Sequence, residues 1–147
     1  MSEGLNGDGA KQGTQGLCRE VSEKNNVQIQ FREGVGVRRN LPNQVSISLF
    51  RILQEGLHNA IRHSGAAHLE VQLWEQSNQV HLLVKDKGTG FDLETAKRHG
   101  GLGLISMQER VRILNGTILI HSKPKTGTTI DVRVPIESEH EPKRLAA

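Results

Sequence analysis

Two pairs of short strands, separated by a glycine-bearing stretch and a helix, leave few architectures open to this chain. The first pair is predicted at His68 to Trp74 and Val80 to Lys85, and the second at Thr117 to His121 and Thr129 to Val134. Strands joined by short turns pair antiparallel, and helices between the pairs must cover the sheet. We therefore predict an α+β fold, a two-layer sandwich whose mixed, mostly antiparallel sheet carries its helices on one face.

Three helices and one further strand complete this prediction. A short helix is expected from Leu17 to Lys24 and a strand from Val27 to Phe31, which alternates apolar and polar residues. A long helix is expected from Gln44 to His63, because apolar residues recur there at three- and four-residue spacings. Those residues are Leu49, Phe50, Leu53, Leu57, Ala60 and Ile61. The last helix is expected to end near Leu114, just before an Asn-Gly pair.

Composition and length limit the kinds of function to consider. The 147 residues fit one domain, predicted at 17–136, with a glycine-rich flexible leader over 1–16 and a polar tail over 137–147. Aromatic residues make up only 3% of the chain and no dense Lys/Arg block occurs, which argues against nucleic-acid binding. No apolar run approaches the ~20 residues of a membrane helix. We expect no membrane contact by this domain and a cytoplasmic location, even if the parent protein is membrane-anchored.

Polar residues on the long helix form the first candidate site. Glu55, Asn59 and Arg62 recur on the side away from the apolar stripe. An ordinary solvated helix face is the simpler interpretation of such a pattern. The functional alternative is a face turned towards a ligand. There the carbonyl oxygen of Asn59 could complete the coordination shell of Mg²⁺, while Glu55 could hold a water molecule or act as a base.

Three glycine-bearing segments add further candidates. Asp86 to Gly90 follows an apolar strand, so that a carboxylate stands at the end of the sheet, where it could accept the exocyclic amine of adenine. Gly100 to Leu104 directly precedes a helix, whose free N–H groups can bind an anion. Gly127-Thr128 precedes the last strand and offers a hydroxyl. For each segment taken alone, an ordinary turn is the simpler interpretation.

The order and spacing of these segments resemble a known family. Residues 50–66 resemble the asparagine box of the ATPase domain of sensor histidine kinases, within the superfamily of gyrase, mismatch-repair and heat-shock chaperone ATPases. Asp86 to Gly90 and Gly101 to Leu104 resemble its two glycine boxes, and Gly127-Thr128 resembles its final Gly-Thr. The pairing of the first box with residues 100–110 is most similar to the nitrate-sensor and lipid-sensor branch.

The resemblance implies a Bergerat-type ATP-binding fold with ATP and Mg²⁺ as ligands. It implies that Asn59 binds Mg²⁺, that Glu55 is catalytic and that Asp86 recognises adenine. It assigns the remaining nucleotide-binding positions to Arg62, His63, Gly88, Gly90, Gly101, Leu102, Gly103, Leu104 and Thr128.

The resemblance also implies partners. In that family the phosphorylated histidine lies on a dimerising helical hairpin upstream, and none of the seven histidines here has such a context. We therefore expect that this chain donates phosphoryl to helices absent from it, does not autophosphorylate alone, and serves a response regulator with a helix-turn-helix output domain. The alternatives are a stand-alone anti-sigma factor serine kinase and a non-catalytic ATP-binding switch.

Overall fold

A five-stranded sheet with helices on one face forms the protein. The structure is a computed structural model and describes residues 9–34, 41–63, 65, 67–88 and 103–136. The elements in chain order are α1 (Gly9–Asn25), β1 (Gln28–Glu33), α2 (Asn43–His63), β2 (His68–Gln76), β3 (Gln79–Asp86), α3 (Leu104–Ile113), β4 (Thr117–Lys123) and β5 (Gly127–Pro135). The predicted α+β sandwich is confirmed.

The sheet has the strand order β1-β2-β3-β5-β4. The β1–β2 pair is parallel and the other three pairs are antiparallel, as a mixed, mostly antiparallel sheet requires. The turn of the first hairpin consists of Ser77 and Asn78, which both have positive φ (55° and 59°). Such a two-residue turn follows the right-handed twist of the strands that it joins.

The core lies between the sheet and α2. Cross-strand rows of buried side chains cover the inner face of the sheet, such as Leu73, Leu82 and Val132. Gly56 brings α2 close to this face, because a Cβ there would lie 3.3 Å from Ile130 Cδ1 and 3.7 Å from Val84 Cγ1. The apolar stripe predicted for α2 is confirmed at its buried members Leu49, Leu53, Leu57 and Ala60.

The first helix corrects the predicted leader. It begins at Gly9 instead of Leu17, so residues 9–16 belong to a helix, while 1–8 and the predicted tail 137–147 lie outside the described residues. Thr14, Leu17 and Cys18 are buried, because α1 packs against α2 and β1. Tertiary packing therefore outweighs the low helix propensity of the glycines in this stretch. No helix in the described part of the chain is long and apolar enough to cross a membrane.

Candidate functional site

The connection between β1 and β2 places the C-terminal half of α2 at one end of the sheet. Since β1 and β2 are parallel, α2 must run back along the sheet, antiparallel to both strands. The next strand, β3, is antiparallel to β2 and so runs in the same direction as α2. The polar residues late in α2 therefore lie at the sheet end where β3 finishes with Asp86.

Glu55 and Asn59 lie one helical turn apart on the same side of α2. Asn59 is buried at 2% exposure, so a solvated helix face does not describe its position. Glu55 is half-buried and reaches the start of α3, because a Cβ on Gly103 would lie 2.7 Å from Glu55 Cδ. The structure thus brings together Glu55, Asn59 and Gly103, which are predicted site residues from two segments.

The start of α3 is a helix N-terminus, where backbone N–H groups can bind an anion. Gly103 precedes the helix with φ 63° and ψ 14°, a left-handed conformation, and makes no side-chain capping bond. The first hydrogen bond of the helix runs from Met107 N–H to Gly103 O, at 3.0 Å. The N–H groups of the preceding turn have no acceptor within the helix. Leu104 is buried at 2% exposure and holds this turn against the core.

Asp86 and Thr128 face each other at the ends of two adjacent strands. They are direct partners in the β3–β5 register and are 4% and 6% exposed. Gly88 N–H donates to Asp86 Oδ1 at 2.8 Å, which fixes the orientation of the carboxylate. Gly127 has φ 92°, and a Cβ there would lie 3.1 Å from Lys87 Cα, so glycine permits the close approach of the two backbones. Asp86 and Thr128, two of the predicted site residues, are therefore close neighbours in the structure.

Ser122 is a member of this neighbourhood that sequence reasoning missed. It pairs with Thr128 in the β4–β5 register, and their hydroxyl oxygens are 2.8 Å apart. Asp86, Thr128 and Ser122 thus form one row across three strands, on the inner face of the sheet. Only the register of the last hairpin reveals this row, because Ser122 lies six residues from Thr128 and belongs to none of the glycine-bearing segments.

Arg62 lies outside the buried group. It is exposed on α2, and its Nη1 donates to His58 Nε2 at 3.1 Å. Both residues border a groove between α1 and α2, which includes Leu17 and Val21. A contact between Arg62 and phosphate stays a prediction. Gly90, Gly101, Leu102 and the side chain of His63 lie outside the described residues, and their predicted roles stay predictions as well.

The oxygen donors of α2 fit a magnesium ion that is shared with a phosphate ligand. Asn59 supplies a neutral carbonyl oxygen and Glu55 a carboxylate, which are the ligand types that Mg²⁺ prefers. No group of three or more His, Cys, Asp or Glu side chains within the described ranges could hold a metal by itself. A magnesium ion at this site would take most of its ligands from water and from the nucleotide's phosphates.

This fold and site define the class of protein. The sequence model of the histidine kinase-, DNA gyrase B- and HSP90-like ATPases matches residues 44–138. The chain belongs to this family of nucleotide-binding domains.

Individual relatives are sensor histidine kinases. The chain is 39% identical over 121 residues to the signal transduction histidine-protein kinase/phosphatase DegS of Brevibacillus brevis, covering 82% of this chain and 31% of that protein. It is 35% identical over 136 residues to the sensor histidine kinase LiaS of Bacillus subtilis, covering 92% and 36%. This chain therefore spans about a third of the length of these relatives.

Solved structures agree on the fold. The histidine kinase domain of the Erythrobacter litoralis EL346 blue-light activated kinase superposes with a TM-score of 0.69, at 19% identity over 86% of this chain and 60% of that one. The catalytic domain of histidine kinase ThkA gives a TM-score of 0.67, at 17% identity over 86% of this chain and 90% of that one.

Proposed function

We propose that this chain is the catalytic domain of a sensor histidine kinase, which binds Mg·ATP and transfers the γ-phosphoryl group to a histidine on helices supplied by another segment or another chain. The observation that carries the proposal is the buried carboxylate of Asp86 at the end of β3, which accepts a hydrogen bond from Gly88 N–H, while Thr128 lies opposite Asp86 on β5. A fixed carboxylate accepts a hydrogen bond from the adenine amine, whereas guanine presents a carbonyl oxygen at that position.

The remaining described residues fit the other end of the nucleotide. The N–H groups at the start of α3, which have no acceptor within the helix, can bind phosphate, and Glu55 lies beside that turn. Asn59, one turn further along α2, can bind the Mg²⁺ that accompanies the phosphates. Phosphoryl transfer relies mainly on positioning and charge stabilisation, so these groups supply what the reaction needs apart from the acceptor.

The partners in this proposal follow from the sensor-kinase relatives. The acceptor is a histidine on a dimerising helical hairpin, and the phosphoryl group then passes to a response regulator whose output domain carries a helix-turn-helix. The kinase domain and the response regulator would meet in the cytoplasm. Alone, the chain would bind nucleotide without autophosphorylation.

Transfer in trans tests the proposal. The chain is mixed with radiolabelled Mg·ATP and the separately expressed dimerisation helices of the DegS and LiaS relatives. We expect acid-labile, base-stable label on the helices, and a loss of about 10²-fold or more in rate for Glu55→Gln. Binding of ATP without label on any of these acceptors would instead support a non-catalytic ATP-binding switch.

A further inference from the structure

The strand β4 forms one edge of the sheet, and its outer side has no neighbouring strand in the described part of the chain. All seven of its residues pair with β5 in unbroken register, from Thr117 opposite Arg133 to Lys123 opposite Gly127. Proteins usually protect such an edge with a bulge, a proline or charged side chains, especially lysine. The register of β4 is unbroken, the strand has no proline, and its one lysine, Lys123, stands at its end. The backbone before Lys123 can therefore accept a further strand.

Along β4, the side chains on the outer face of the sheet change from apolar to basic. Leu119 is 53% exposed in the middle of the strand, which is high for a large apolar side chain. His121 and Lys123 follow on the same face and are both exposed. An added strand would therefore meet an apolar position first and basic positions towards the end of β4.

The basic end of β4 continues into a depression of about 750 Å³. Four exposed lysines border it, two from the end of β3 and two from the β4–β5 turn region: Lys85, Lys87, Lys123 and Lys125. Asp86 is the only acidic residue among the lining residues, and its carboxylate accepts a hydrogen bond from Gly88 and lies in the candidate nucleotide site. The depression is thus rich in positive charge, and it adjoins the polar row on the inner face, because Asp86 and Ser122 also line it.

We propose that β4 is a docking edge for an acidic, extended segment of a partner protein, which adds to the sheet as a sixth strand. In such binding, backbone hydrogen bonds supply affinity that does not depend on the partner's sequence, and side chains at alternate positions supply the specificity. Here the partner would place an apolar residue beside Leu119 and acidic residues beside His121 and Lys123. A second copy of β4 does not fit this charge pattern, because the strand contains no acidic residue.

Synthetic peptides test the proposal without altering the protein. The probes are fluorescein-labelled peptides of eight residues, in which threonine alternates with two valines in one half and with two glutamates in the other half. Each sequence is made in both directions, because the added strand could be parallel or antiparallel to β4. Anisotropy should show saturable binding of one probe with Kd below about 1 mM. Lysine in place of both glutamates should abolish it, and so should raising the ionic strength to about 0.5 M.

N-methylation of the peptide distinguishes strand addition from simple charge attraction. Only every second amide of an added strand points towards β4. Methylation of one alternate set should weaken binding at least about tenfold, and methylation of the other set should change it less than about twofold. Equal effects of the two sets would overturn the proposal.

A matched pair of protein variants locates the surface. Lys123→Glu/Lys125→Glu should weaken binding about tenfold or more, because two attractions become repulsions. Arg19→Glu/Lys24→Glu makes the same change in net charge at exposed positions of α1 and should leave binding within about twofold. Both variants should keep the wild-type melting temperature. Equal weakening by both, absence of binding by any probe, or dimerisation of the protein through β4 would contradict the inference.

Discussion

Substitution of Gly103 by alanine perturbs the contact that joins α2 to α3. At φ 63° a non-glycine residue costs about 1–2 kcal/mol. The added Cβ would also fall within the carboxylate group of Glu55, with Cδ at 2.7 Å. Overpacking costs about 1–3 kcal/mol, and the flexible end of Glu55 keeps it near the lower limit. We therefore expect Gly103→Ala to lower the free energy of unfolding by about 2 kcal/mol in total.

Gly65 provides the matched control. It has the same φ of 63°, but no atom of the described residues lies within 4 Å of the position where its Cβ would be. Gly65→Ala should therefore cost only the conformational part, about 1 kcal/mol. The rest of the cost of Gly103→Ala comes from the clash with Glu55. Urea denaturation of Gly103→Ala, Glu55→Ala and the double variant should measure this clash as a coupling energy of about 1 kcal/mol. The reasoning is refuted if Gly103→Ala costs no more than Gly65→Ala, or if its cost is the same with and without the side chain of Glu55.

Three further outcomes are expected. Thr128→Val should destabilise the fold by about 1 kcal/mol and weaken ATP binding, because the hydrogen bond between the Thr128 and Ser122 hydroxyls is lost. An equal loss of affinity in Ser122→Ala, which keeps Thr128, would show that the row acts as a unit. Burial raises the pKa of the Cys18 thiol to about 12, so a thiol reagent at pH 8 should modify it only as fast as the protein unfolds; prompt modification would contradict its burial. Gly56→Leu should lower the free energy of unfolding by more than about 2 kcal/mol, because the space between α2 and the sheet cannot hold a larger side chain. A small loss of stability would mean that α2 lies further from the sheet.

The long helix and both hairpins could be predicted because their signals are local. The apolar spacing of α2 and the alternation of β2 and β3 are properties of residues close together in the chain, and the observed bounds differ from the predicted ones by at most two residues. The start of α1 was missed because it depends on packing against α2. Its glycines favour a loop, and nothing in the local sequence reveals the neighbouring helix.

The same distinction applies to the site. Asp86, Asn59 and Gly103 could be singled out because each belongs to a segment with a recognisable residue pattern. Their arrangement depends on the parallel pairing of β1 with β2 and on the insertion of β5 between β3 and β4, which join residues far apart in the chain. Ser122 has no local signal at all. The exposed position of Arg62 beside His58, by contrast, agrees with the sequence, because the two residues lie four apart on the predicted helix.

Nucleotide binding by the wild-type chain and by Asp86→Asn tests the central claim most directly. Titration calorimetry with Mg²⁺ present should show ATP binding in the micromolar-to-millimolar range, with GTP weaker by about 10²-fold or more. Loss of a hydrogen bond to a charged group is worth about 1.5–3 kcal/mol, so Asp86→Asn should bind ATP about 10- to 100-fold more weakly while keeping its fold. Equal binding of ATP and GTP, or undiminished ATP binding by a folded Asp86→Asn variant, would contradict the assignment of this carboxylate to adenine recognition.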